Sequence, residues 1–148
     1  MVKKNGSMKL IISIMVMTLC STRIAADGFI PESFSPPTLI SADEFVLEPL
    51  GPRLVEIDYI AYMSSIEHLQ RTFSRGGSWP NDSITREDAM IDMQTEQARF
   101  EARESFAYAV LDLDREVELG CVYVYPSKKR GFDAVSYTHL TLPTKRIV

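Results

Sequence analysis

Hydrophobic and polar residues change their spacing several times along the chain, and each change marks an element. In 44–50, E-F-V-L-E-P-L, Phe45 and Leu47 alternate with Glu44, Val46 and Glu48. That period of two predicts a half-buried strand with Phe45 and Leu47 turned inward, ended by Pro49. Gly51-Pro52 marks a turn, and Pro52 suits the first turn of a helix, where its missing N–H would have had no partner. Leu54, Ile57 and Ala61 then recur beside Val55, Tyr59, Tyr62 and Ile66 as two adjoining stripes at helical spacing. A helix is predicted to Ser64, with a short second one around Ile66 and Leu69. The breakers Gly76, Gly77, Pro80 and Asn81 make 74–83 a loop.

The next helix carries its own start signal. Thr85-Arg86-Glu87-Asp88 is a capping box with Asp88 in place of the usual Glu or Gln, and its acids suit the positive helix end. Met90, Met93, Gln97 and Phe100 follow on one face, Glu96 and Arg99 can pair three residues apart, and the helix should run to about Arg103. Residues 106–111 are apolar, 112–116 are turn material, and 118–125 are apolar again around Gly120, stopping at Pro126. Such a hairpin, apolar on both faces, belongs inside a sheet covered by helices on both sides, an α/β or α+β sandwich.

Both ends read differently from this body. Lys3, Lys4 and Lys9 precede an apolar run over 10–20, and the small Ala25 and Ala26 follow, so 1–26 is expected to be a secretory leader, too short to span a bilayer stably. Residues 27–43 hold Pro31, Pro36 and Pro37 and should form an extended arm. At the other end 135–144, V-S-Y-T-H-L-T-L-P-T, is what one frame of a transposon-end sequencing adapter spells: GTC TCT TAT ACA CAT CTG ACG CTG CCG ACG. The expectation is an artefactual tail over 135–148, with the natural domain read over 44–134 and cut off there.

Trimming changes the charge. The leader and tail contain six of the sixteen basic residues and none of the twenty acids, leaving twenty acids against ten bases. So acidic a body argues against nucleic acid, which needs a basic face. Lys128-Lys129-Arg130 reads as a solvated turn. Of two cysteines only Cys121 lies in the body, so no internal disulfide forms, and its apolar setting in G-C-V-Y-V-Y makes it a buried, inert thiol. With His139 in the tail, His68 is left alone and no metal site of the usual His/Cys spacing can be assembled. Glu56, Asp58, Glu67 and His68 read as solvated helix surface and Tyr123 and Tyr125 as sheet residues, so no catalytic residue is assigned.

Several words, in this order, resemble a bacterial branch of the GNAT superfamily, the acetyltransferases related to the yeast histone acetylase: P-E-S-F-S-P-P at 31–37, F-V-L-E-P-L at 45–50, D-Y-I-A-Y-M-S-S-I at 58–66, W-P at 79–80, F-A-Y-A-V-L-D at 106–112 and G-C-V-Y-V-Y-P at 120–126. The resemblance covers about 31–134 and implies the N-terminal half of a GNAT fold, with a mixed, mostly antiparallel sheet, incomplete here. It implies acetyl transfer from acetyl-CoA to a small-molecule or peptide amine, with Tyr59, Tyr62, Met63 and Trp79 bordering the acceptor. The family's Q/R-x-x-G-x-G/A loop, whose backbone amides hold the cofactor pyrophosphate, is absent; R-T-F-S-R-G-G at 71–77 precedes the long helix and reads as a loop. The chain is therefore expected to be an inactive fragment that binds no acetyl-CoA. The other reading is an exported binding or structural module without enzymatic activity. The leader places the protein outside the cytosol or in the periplasm if genuine, and in the cytoplasm if the start site is misassigned.

Overall fold

The computed structural model describes residues 30–73 and 78–141; the leader, Gly76, Gly77 and the last seven residues lie outside them. Five strands pair antiparallel in chain order: β1 (Ile40–Ser41), β2 (Val46–Pro49), β3 (Phe106–Leu111), β4 (Glu118–Pro126) and β5 (Ala134–Leu140). Between β2 and β3 come a 3-10 turn at Pro52–Leu54 and the helices α1 (Val55–Met63), α2 (Ile66–Thr72) and α3 (Arg86–Glu101). The result is an α+β fold with an open antiparallel sheet. No helix among the described residues is long and apolar enough to cross a membrane.

The core lies between the helices and one sheet face. Val46, Leu50, Leu54, Val55, Tyr62, Leu69, Ala89 and Met93 close over Ala107, Ala109, Leu111 and Cys121. All three helices contribute to it. On β3 the alternate positions Phe106 and Tyr108 are buried too; Phe100 meets both rings edge to face at 5.1 and 5.5 Å, and the Tyr108 hydroxyl donates to the Pro37 carbonyl. The cover expected from a second helical layer thus comes in part from the proline arm. Arg103 fastens that arm, donating from Nη2 to the carbonyls of Pro31 and Phe34, each at 2.8 Å.

Two expectations are corrected. Strand β2 turns the opposite face inward: Val46 and Glu48 are buried while Phe45 and Leu47 are half-exposed. A buried carboxylate needs partners, and Glu48 has two, Arg53 five residues on and Arg115 at 3.1 Å from the β3–β4 turn. The hairpin is also not the last of the sheet. Strand β5 pairs along β4 from Gly120 opposite Leu140 to Pro126 opposite Ala134, so residues of the segment expected to be a foreign tail complete the sheet edge. An unpaired edge accepts any extended segment rich in β-branched and aromatic residues, and V-S-Y-T-H-L-T is one, whatever DNA encoded it.

Candidate functional site

A cavity of about 280 Å³ opens between α1, α3, β4 and the segment carrying Trp79. Its lining follows from three local regularities. Asp58 and Tyr62 lie one turn apart on α1 and so share a face. On α3, Asp92, Glu96 and Arg99 recur at intervals of four and three and turn the same way. The third regularity is a break in a strand.

Glu118 and Cys121 are three apart, which in an unbroken strand sets them on opposite faces. Here Val110 pairs with Gly120 but Leu111 pairs with Glu118, so one extra residue, Leu119, is inserted into β4. This β-bulge brings Glu118 onto the face of Cys121 and Tyr123. Gly120 sits beside the bulge at φ 151°, a backbone conformation that side chains rarely tolerate.

The cavity is therefore acidic at its floor and along one wall. Asp58 is half-buried with its carboxyl beside that of Glu118; burial pushes it up to about 7, helped by the charge of Asp92 and opposed by hydrogen bonds from Glu118 and Cys121. Glu118, buried, is raised well above the usual carboxylate range, first by burial and then by Asp58. The Cys121 thiol, also raised chiefly by burial, stays protonated and donates to Glu118 Oε1 at 3.0 Å, with Asp58 Oδ1 at 3.9 Å. Glu118 Oε2 and Glu96 Oε2 are buried and meet no donor among the described residues. Glu96 is raised by burial, against the pull of Arg99 at 2.8 Å.

The aromatic wall is Tyr62 and Trp79, with ring centroids 5.6 Å apart. Burial raises the Tyr62 phenol, so it remains neutral. Of the four residues the resemblance pointed to, these two line the cavity. Tyr59 stands behind, edge to face with Tyr62 at 5.5 Å, its hydroxyl donating to the Ile84 carbonyl; Met63 packs against the core away from the cavity. His139 and Thr141, at and beyond the end of β5, complete the rim, and the His139 imidazole is lowered by burial.

Asp58 corrects the reading of the helix acids: its carboxyl faces inward, whereas Glu56 is exposed and pairs with Arg86 at 3.0 Å. The grouping of Asp58, Glu118 and Cys121 was not foreseen, because it joins residues sixty positions apart through a bulge. Gly120 inside an apolar strand was the available signal.

No family model and no curated protein matches the sequence. Among solved structures, the chain is similar to one described as a "putative GnaT-family acetyltransferase" from Bordetella pertussis, with TM-score 0.51 and 15% identity over 71% of this chain and 60% of that one. At that identity the likeness bears on the fold alone, and the aligned part spans less than two thirds of the other protein's length.

Proposed function

We propose that this domain is the acceptor-binding part of an N-acetyltransferase, and that the complete protein transfers acetyl from acetyl-CoA to a cationic amine. The observation that carries this is a cavity in a GNAT fold with carboxylates of Asp92 and Glu96 on one side and the rings of Tyr62 and Trp79 on the other. Carboxylates attract an ammonium group, and aromatic faces hold a cation through their quadrupole.

Acetyl-CoA does not fit the residues present. Its pyrophosphate calls for a helix N-terminus with free amides, but at α3 Thr85 and Asp88 cap each other, so that a carboxylate already occupies the end, and at α1 the acids Glu56 and Asp58 stand in the first turn and repel an anion. The exposed cluster Lys128-Lys129-Arg130 follows β4 and precedes no described helix. The Q/R-x-x-G-x-G/A loop is proposed to be encoded beyond Ala134 in the intact gene, and this chain is proposed to be inactive by itself. A complete gene from source genomic DNA that lacks the loop would refute the enzyme reading. Fractionating cells that carry that gene tests the leader, with recovery outside the cytosol supporting export and the non-enzymatic alternative.

Trp79 is the chain's one tryptophan and lines the cavity, so its fluorescence reports occupancy directly. Aliphatic diamines should shift it, dicarboxylates of the same length should not, and Asp92→Asn or Glu96→Gln should each weaken the diamine response about tenfold, the worth of one charge-assisted hydrogen bond. Equal responses to diamines and dicarboxylates would exclude a cationic acceptor.

A further inference from the structure

At the floor of the cavity two carboxyls lie side by side next to a thiol, and one carboxyl oxygen has no partner among the described residues. Glu118 is buried and its Oε2 meets no N–H or O–H among the described residues, while its neighbour Asp58 is itself a carboxylate. Something positive must lie between such groups, either a proton or a cation. Behind them the Cys121 sulfur is 3.0 Å from Glu118 Oε1 and 3.9 Å from Asp58 Oδ1, and one ligand atom from each of the three residues falls within 4.8 Å of the others.

We infer that Asp58, Glu118 and Cys121 form a three-ligand site for a zinc-like divalent cation, with the fourth coordination position facing the cavity. Three observations converge on this. One ligand atom of each residue lies within 4.8 Å of the other two, so a small inward rotation of the side chains onto an ion at about 2.0–2.3 Å from each donor brings all three into one tetrahedral shell. The two carboxyls line the cavity and Cys121 does not, so the open position points to the space where a small molecule or water can enter. The orphaned Glu118 Oε2 supplies a lone pair that nothing else in the described structure uses.

A thiolate and two carboxylates around a divalent cation leave a net charge of only minus one on the occupied site. Thiolate softness selects zinc or cobalt over magnesium or calcium, which prefer oxygen. The three ligands are distinct from the residues proposed to hold the amine, though Asp58 and Glu118 share its cavity, and all three precede the adapter-like segment.

The test uses the full 148-residue chain and the metals alone. After exposure to Zn²⁺ and gel filtration, one zinc per chain should remain, and Mg²⁺ should neither bind nor compete. With Co²⁺ a thiolate-to-metal charge-transfer band should appear in the near ultraviolet, and Cys121→Ser should abolish it and weaken Zn²⁺ binding at least tenfold. If Cys121→Ser does not keep the wild-type circular dichroism spectrum, Asp58→Asn, at a half-exposed position, replaces it with the same expected loss of affinity. Glu67→Gln, on the outside of α2, should change nothing. Cobalt bound without the band, or zinc affinity unaltered by these site substitutions, overturns the assignment.

Discussion

The acidity of the cavity floor makes Asp58 the residue whose charge most directly ties stability to pH. Its carboxyl titrates near 7 in the fold and near 3.8 when the chain is unfolded. Below about pH 4 both states hold the proton and the group contributes nothing. Between there and pH 7 the unfolded chain releases a proton that the folded one retains, so stability falls as pH rises, and the whole cost is present above 7. The groups that face it, Glu118 and Cys121 from β4, Asp92 from α3 and Tyr62 on its own helix, are acidic or neutral, and none offsets that cost with a positive charge. Asp58→Asn in metal-free protein should therefore stabilise by roughly 1–3 kcal/mol at pH 8 and by almost nothing at pH 4, allowing for water that reaches a half-buried carboxyl. Urea titrations of both proteins at pH 4, 6 and 8 give the difference; a gap that does not widen with pH would remove the raised Asp58 carboxyl from the account.

At the scale of elements, what the sequence could show was what neighbours along the chain decide. The capping box at Thr85 and Asp88, the Glu96–Arg99 pair and the α3 bounds within two residues were legible because each depends on residues three or four apart. Thr85→Ala removes the acceptor for the Asp88 amide and should cost about 1 kcal/mol, without altering the Trp79 emission, because the cap lies on the solvent side of α3. A large emission change would mean the cap positions the cavity wall as well. The face of β2 was not legible: alternation puts Phe45 and Leu47 inside, and burying Glu48 instead takes two guanidiniums, Arg53 five residues on and Arg115 from a turn sixty-seven positions away, which alternation cannot register. The shared face of Glu118 and Cys121 was hidden for the same kind of reason, since a bulge is defined only by the register against β3. Of the residues lining the cavity, Tyr62 and Trp79 were named through the family resemblance, and the carboxylates that give the cavity its charge were not.

For the whole molecule the deciding question is what occupies the outer edge of β4. That edge runs the full length of the strand and carries Tyr123 and Tyr125, which stack on Tyr137 at 5.0 and 5.8 Å. Without a partner it would expose a row of backbone donors and acceptors beside aromatic rings, the arrangement most prone to pairing between copies. A chain ending at Ala134 should therefore elute as dimers or larger species and the 148-residue chain as a monomer, and the shorter chain should bind an amyloid-sensitive dye more strongly. Under the proposal that the intact gene continues differently after Ala134, its product faces the same edge. Genomic DNA is accordingly expected to depart from V-S-Y-T-H-L-T-L-P-T after Ala134 and still to encode a strand there, with β-branched or aromatic residues at alternate positions and the pyrophosphate loop following within a few residues. Grafting that genomic strand in place of 135–141 should restore the monomer, because edge pairing needs β-forming residues rather than one sequence. Monomeric behaviour of the chain cut at Ala134 would show that the edge needs no strand at all, and the sheet would then be complete at β4.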